Sequence, residues 1–121
     1  MESAQDIKDR TFAFSLNIVN FCSCMPESRI SLRLLDQLMR SGTSIGANVE
    51  EATAASSRNH FIYKVNIALR EAREANYWLR LIKETKMTES QQLDRLLSES
   101  EELKKILDVI VSSARGKRKV N

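Results

Sequence analysis

The chain of 121 residues is long enough for one domain with a hydrophobic core and too short for two ordinary domains. Its 42% hydrophobic and 29% charged residues are typical of a globular protein and exclude an intrinsically disordered one. Three glycines and one proline are too few for the tight turns of a β-sheet protein of this size, so the composition favours long helices.

The net charge of +3 is unevenly distributed along the chain. Residues 115–121 contain four basic side chains and no acidic one, which leaves 15 basic against 16 acidic residues in the rest of the sequence. We therefore predict a folded domain over residues 1–114 and a basic C-terminal tail over residues 115–121.

The N-terminal region shows no targeting segment. Four charged residues between positions 6 and 10 interrupt the apolar stretch that a signal peptide requires. The partly apolar run 12–25 is shorter than the ~20 residues that a membrane-spanning helix needs. We expect a cytoplasmic protein that does not associate with a membrane.

The cysteine pattern favours free thiols. Cys22 and Cys24 are the only cysteines, and at this spacing on a helix their side chains point to different faces. A zinc site would need a second pair of ligands, and the only histidine, His60, is far away in sequence. We predict reduced structural thiols, which suit a reducing compartment, rather than a metal site or a disulfide.

The first predicted helix spans residues 5–25, and Pro26 ends it because proline disfavours helical geometry in the residue before it. One side of this helix carries apolar positions at heptad-like spacing: Ile7, Thr11, Phe14, Ile18, Phe21 and Met25. Phe12, Leu16 and Val19 lie on another side. The pattern therefore predicts a helix that packs against neighbours on two of its sides.

The second predicted helix spans residues 29–55, with Ser28 as its N-cap. Its core-facing positions are Leu35, Leu38, Gly42, Ile45, Val49 and Ala52. Gly42 and Gly46 each cost roughly 1 kcal/mol relative to alanine inside a helix, so a break into two short helices is one interpretation. The alternative is one helix whose small residues admit a neighbouring backbone, and the unbroken apolar phase favours it.

The third predicted helix spans residues 58–86, follows a cap at Ser56 or Ser57, and carries two apolar stripes about 100° apart. The first stripe consists of Phe61, Val65, Ala68, Ala72, Ala75, Leu79 and Ile82. The second stripe consists of Tyr63, Ile67, Trp78 and Leu81. The first can supply the core of one protomer, and we predict that the second forms an oligomer interface with another copy of the chain.

The fourth predicted helix follows a capping box formed by Thr88 and Gln91, and Gly116 is placed to end it. Its apolar positions are Leu93, Leu96, Ser100, Leu103, Leu107, Ile110 and Ala114. Sustained heptads and short connections predict an all-α, antiparallel up-down-up-down four-helix bundle. An extended pair of coiled-coil hairpins is the alternative.

Four carboxylates invite comparison with a di-iron bundle: Glu50, Glu51, Glu71 and Glu74. Such sites need two Glu-x-x-His motifs, and this chain has a single histidine and no such motif. We expect these acids instead to pair with Arg40, Arg70 and Arg73 at contacts between helices or subunits. The sequence also lacks a nucleophile elbow and a phosphate-binding loop, so we predict no metal, no cofactor and no enzymatic activity.

Clustered cations are the candidate nucleic-acid-binding residues. They fall on the third helix and in the tail: Arg70, Arg73, Arg80, Lys83, Arg115, Lys117, Arg118 and Lys119. A solvated helix face with a solubilising tail is the alternative interpretation. Trp78 has apolar neighbours at positions 63, 67 and 81, so we interpret it as an interface anchor rather than a platform for stacked bases.

Two stretches, residues 40–52 and 68–81, resemble the small bacterial four-helix bundle proteins named after the intervening sequences of 23S ribosomal RNA. The resemblance covers residues 5–114. It implies a homopentameric, barrel-like assembly. For relatives that act as accessory variability proteins of diversity-generating retroelements, it further implies binding of nucleic acid and of a reverse transcriptase.

The sequence as a whole therefore predicts a non-enzymatic, homo-oligomeric accessory protein that binds RNA or DNA. The alternative is a protein-interaction scaffold or adaptor that makes no direct contact with nucleic acid. Both interpretations require that copies of the chain assemble, since the second stripe needs a partner.

Overall fold

The computed structural model describes residues 3–116, which fold into four α-helices without any β-strand in that range. The helices are α1 (Ala4–Ser23), α2 (Arg29–Thr53), α3 (Arg58–Glu84) and α4 (Gln91–Gly116). Consecutive helices pack side by side through short connections, and α4 returns to α1. This arrangement confirms the predicted all-α four-helix bundle with up-down-up-down topology.

Serine caps begin the helices. The Ser28 and Ser57 side chains accept backbone hydrogen bonds at the starts of α2 and α3, as predicted. The predicted capping box at Thr88 is wrong, because the Ser90 hydroxyl accepts the Leu93 N–H at 3.1 Å and α4 begins two residues later than that box requires. Residues 87–89 instead belong to the turn that follows Lys86, which has a φ of 57°.

The core combines one stripe from each helix. Its fully buried centre includes Ile18 of α1, Leu38 and Ile45 of α2, Leu79 of α3 and Leu103 of α4. The predicted core positions are confirmed along most of the bundle, and α2 is one uninterrupted helix. The last turns of α4 differ from the prediction, because Val111 is buried there while Ile110 and Ala114 are only partly buried.

The two glycines of α2 lie where α1 approaches most closely. A Cβ atom added to Gly42 would stand 2.9 Å from Cγ1 of Ile18, and one added to Gly46 would stand 3.1 Å from the carbonyl oxygen of Thr11. Both distances are shorter than an ordinary carbon contact. The small residues therefore serve close packing between α1 and α2, which confirms the second of the two interpretations.

A buried polar group joins α3 to α4. The Asn76 side chain is only 1% exposed, and its Nδ2 donates to Ser100 Oγ at 2.9 Å and to Glu101 Oε2 at 2.8 Å. Its Oδ1 accepts a hydrogen bond from Arg80 Nε at 3.0 Å. Since an unpaired buried amide is costly, these three hydrogen bonds favour one register of α3 against α4.

The contact between α1 and α4 is the least extensive of the four helix pairs. Arg10 Nε donates to Glu99 Oε2 at 2.6 Å, and its Nη2 donates to Oε1 at 3.0 Å, so the two side chains form a bidentate ion pair. Beside this pair lies a groove of about 560 Å³, lined by Asn17 of α1 and by Gln92 and Arg95 of α4. This edge of the bundle therefore combines polar side chains with apolar ones from both helices.

None of the helices within residues 3–116 has the length and apolarity that crossing a membrane would require.

Candidate oligomer and nucleic-acid surfaces

The second stripe of α3 is only partly free in the protomer. Tyr63 is 61% exposed, whereas Ile67, Trp78 and Leu81 are half-buried. The Trp78 ring packs against the core of its own protomer, and its Nε1 donates to Glu74 Oε2 at 3.0 Å. The tryptophan thus anchors α3 within the bundle, and the part of its ring that stays exposed can make a further contact.

A charged cluster stands beside Trp78, between α2 and α3. Arg40 donates to Glu71 Oε1 at 3.2 Å and also to the Glu74 carboxylate. The hydrogen bond from Trp78, together with the hydrogen bond and charge of Arg40, holds the pKa of Glu74 below its ordinary value despite partial desolvation. The predicted pairing of these two acids with Arg40 is therefore confirmed.

The other predicted partners of the acids behave differently. Arg70 and Arg73 are exposed and form no ion pair with any residue between 3 and 116, so their predicted pairing with the acids is not found inside the protomer. The reason is geometric, because Glu71 and Glu74 face α2, whereas the two arginines lie on the outward side of α3. Glu50 pairs with Lys8 of α1 instead, at 3.8 Å.

The predicted cations of α3 divide into two kinds. Arg70, Arg73 and Arg80 are all exposed, and we call these three residues the arginine row. Arg80 is held in place by its hydrogen bond to Asn76. Lys83 differs from them, because its Nζ lies 2.5 Å from Asp94 Oδ1 and that carboxylate raises the pKa of the lysine. Its charge is therefore partly offset by Asp94, which weakens its case as a phosphate contact.

The predicted basic tail lies mostly outside the described residues. Lys117, Arg118 and Lys119 belong to that part of the chain. Arg115 lies in the last turn of α4, which continues to Gly116. At the same end of the bundle the Arg58 guanidinium donates to the carbonyl oxygen of Ala114, at 3.1 Å from its Nε. Of the predicted tail, the structure therefore describes only Arg115 and Gly116, which are the last residues of α4.

Two surface features were not among the predicted site residues. Phe12, Leu16 and Val19 form an apolar face on α1 and are 59%, 51% and 40% exposed. Their spacing along the helix had already placed them together on one side. Tyr77 of α3 is 49% exposed and stands beside the arginine row. Tyr77 follows Tyr63 by two heptads, so the spacing along α3 places it near the second stripe, where the sequence prediction did not include it.

The metal-binding and nucleophilic side chains of the described residues are scattered or free. Between residues 3 and 116, no group of three or more His, Cys, Asp or Glu side chains is arranged to hold a metal ion. Cys22 and Cys24 are both free thiols. Burial, with a smaller effect from Asp36, raises the pKa of the Cys22 thiol to about 11, so this thiol is protonated at neutral pH and is a poor nucleophile.

Comparison with known proteins assigns the fold to a family. Residues 4–109 match the model of the 23S rRNA-intervening sequence protein family. A crystal structure of a protein of unknown function, from the S23 ribosomal protein family of Bacteroides thetaiotaomicron VPI-5482, superimposes with a TM-score of 0.82. It shares 38% sequence identity over 90% of this chain and 97% of the other. No functionally curated protein matched the chain. Because the family model spans most of the sequence and the solved relative shares its fold, the chain belongs to the 23S rRNA-intervening sequence protein family.

Proposed function

We propose that this protein is a non-enzymatic, homo-oligomeric four-helix bundle that binds RNA or DNA. The observation that carries the proposal is the arginine row on the outward side of α3. Two of its three members, Arg70 and Arg73, have no acidic partner among the described residues, so their charges are available to phosphate groups. Cations arranged in this way bind nucleic acid by releasing counterions from its backbone, without reading its sequence.

Assembly of several copies supports the proposal through avidity. The apolar face of α1 and the free part of the second stripe of α3 both leave large hydrophobic side chains in water. Burial of one such side chain contributes roughly 1.5–3 kcal/mol when it is complete, so joining these surfaces between copies is favourable. An assembly repeats the arginine row, and several weak phosphate contacts then act together. The pentameric state that the resemblance implies is part of this proposal.

The assembly is tested by measuring particle mass with light scattering during size-exclusion chromatography. We expect a mass several times the 13.8 kDa of one chain. Leu16→Glu places a charge on the α1 face and is expected to lower the mass while helix content is kept. Val109→Glu is the matched control, because Val109 is 48% exposed on α4 and lies outside both proposed contact surfaces. A monomeric wild-type protein would contradict the proposal.

Nucleic-acid binding is tested by fluorescence anisotropy across a salt series. The log of the binding constant is expected to fall linearly with the log of the salt concentration, with a loss of several orders of magnitude between about 50 and 200 mM for six or more phosphate contacts. Replacing Arg70 and Arg73 together by glutamine removes two contacts per engaged protomer and reduces the slope by roughly two for each protomer that is engaged. Lys105→Gln is the control, since this α4 lysine lies 3.6 Å from Glu102.

The contribution of the tail is measured separately with a chain that ends at Gly116. We expect this variant to bind more weakly than the full chain but to keep the effect of the Arg70 and Arg73 substitutions. If the full chain shows no retention of nucleic acid even at low salt, binding of nucleic acid by this protein is refuted.

A protein-interaction scaffold is the second candidate function, and the exposed α1 face favours it. If the oligomer uses only the α3 stripe, then Phe12, Leu16 and Val19 stay open for another protein. A reverse transcriptase is the partner class that the family resemblance implies.

The two free thiols suit a reducing compartment, and we place the protein in the cytoplasm under either function.

A further inference from the structure

The outward side of α3 presents an aromatic ring among its cations. Tyr77 is 49% exposed, and the Cζ atom of Arg80 lies 5.7 Å from the centroid of its ring. Arg73 is four residues before Tyr77, so it lies one helical turn away on the same side. An exposed ring flanked by arginines is the combination that proteins use to bind unpaired bases, in which the ring stacks on the base and the cations follow the backbone.

The Tyr77 ring is held in position by neighbouring side chains that are fixed to the bundle. Arg80 is hydrogen-bonded to Asn76, which is itself buried and fixed by Ser100 and Glu101 of α4. On the side toward α2, the Tyr77 ring meets Trp78 edge to face, with 5.1 Å between ring centroids and 76° between ring planes. Neighbours anchored in the bundle therefore restrict the ring, which lowers the entropy lost when a base stacks on it.

This platform borders the proposed oligomer contact on the same helix. Trp78 lies toward α2, where it bonds to Glu74, whereas Leu81 follows Tyr77 by one helical turn. Arg73 and Arg80 lie toward α4, where Arg80 reaches Asn76. Tyr77 stands between these two sides, so a partner chain seated against Trp78 on the α2 side leaves Arg73 and Arg80 open.

We propose that Tyr77, Arg73 and Arg80 form a stacking site for single-stranded nucleic acid, and that the preferred ligand of this protein is an unpaired strand rather than a duplex. The inference rests on the proposed nucleic-acid binding and adds to it the structural class of the ligand. A ring on a convex helix surface cannot reach bases that are stacked inside a duplex unless the duplex is first opened, and that opening is unfavourable because it breaks base stacking and pairing. Unpaired bases carry no such cost.

The test compares three ligands of one mixed sequence, each about 20 nucleotides long and therefore longer than typical single-strand site sizes: a DNA strand, the RNA strand and the DNA duplex. Anisotropy at one fixed low salt concentration gives the three dissociation constants. We expect the single strands to bind more tightly than the duplex. We expect Tyr77→Ala to weaken single-strand binding by about tenfold or more and to leave duplex binding nearly unchanged.

Matched variants separate stacking from other roles of the residue. Tyr77→Phe keeps the ring and should bind like the wild type, whereas Tyr77→Leu keeps an apolar side chain without a π face and should behave like Tyr77→Ala. Arg73→Gln should weaken single strands and duplex alike. Circular dichroism and particle mass establish that each variant is folded and assembled. Because the Tyr77 ring is about half exposed, we expect the fold to tolerate these substitutions.

The emission of Trp78, the only tryptophan, gives a second readout. Because its ring contacts Tyr77, a base that stacks there should change this emission, and the change should be absent in Tyr77→Leu. Equal affinity for single strands and duplex, with no effect of Tyr77→Ala or Tyr77→Leu, overturns the stacking site while nucleic-acid binding stands. Failure of all three ligands to bind at low salt overturns both proposals.

Discussion

Substitution of Gly42 by alanine tests how closely α1 and α2 are packed. The new methyl group would stand 2.9 Å from Cγ1 of Ile18 and 3.1 Å from both its Cδ1 and Cγ2. Ile18 is fully buried, and a β-branched side chain on a helix has essentially one rotamer, so it cannot turn away. The strain must therefore move a helix or distort a side chain.

The expected magnitude follows from two opposing effects. Alanine inside a helix is more favourable than glycine by about 1 kcal/mol. Overpacking of a well-packed core typically costs 1–3 kcal/mol. Since all three close contacts fall on one rigid side chain, we expect the second effect to dominate and Gly42→Ala to lower the free energy of unfolding by about 1 kcal/mol.

A double-mutant cycle isolates the contact. Ile18→Ala alone is expected to cost about 2–5 kcal/mol, and the double variant should cost less than the sum of the single variants by roughly 1–2 kcal/mol, because the clashing atoms are gone. Urea unfolding followed by circular dichroism, at one fixed protein concentration, gives these values. Gly116→Ala is the control, since nothing lies within 4 Å of its added methyl group. Stabilisation by Gly42→Ala would refute the close packing.

Two further predictions concern titration and thiol reactivity. The pKa of Glu74 is lowered in the folded state, so its contribution to stability is present above the ordinary carboxyl pKa and is lost as the pH falls through the lowered value. Trp78→Phe removes the main hydrogen bond, and urea unfolding at neutral and acidic pH should show a smaller loss on acidification than in the wild type; an unchanged loss would contradict that assignment. Iodoacetamide at mildly alkaline pH should modify the exposed Cys24 well before Cys22, whose pKa is about 11, and mass spectrometry of peptides would show the order. Equal rates at the two thiols would contradict the burial of Cys22.

Much of the bundle could be predicted because its determinants are local. A heptad stripe identifies which side of a helix is buried without knowledge of its neighbours, and most core positions from Ile7 to Leu107 follow that rule. On α3 the prediction differs at two positions, because Phe61 is only partly buried and Leu69, outside the predicted stripe, belongs to the core. Caps are less certain from sequence, since Thr88 and Ser90 both carry a hydroxyl and only the turn after Lys86 decides between them. Near the end of α4 the buried position is Val111 rather than Ile110, because both lie three or four residues after Leu107 and the spacing alone does not choose between them.

The surfaces were harder to predict because they depend on which side of α3 each neighbour occupies. Sequence spacing placed Trp78 in an outer stripe, but it could not show that Glu74 and the core already hold the ring. Likewise, Glu71 is next to Arg70 in sequence, yet it reaches across to Arg40 of another helix. Ion pairs and polar contacts between distant segments, such as Arg10 with Glu99, leave no periodic signal in a single sequence.

The limited contact between α1 and α4 determines where the closed ring of helices yields first. Separating these two helices disrupts the least extensive contact between neighbouring helices, where a bidentate arginine–carboxylate pair lies beside a groove lined by polar and apolar side chains. Local opening costs least free energy where the fewest contacts are lost. Hydrogen exchange at the amides of α1 should therefore be faster than in α3, which has extensive contacts with both α2 and α4. The two central helices, α2 and α3, thus form the most firmly packed pair, and the chain's first and last helices pack on it with less contact.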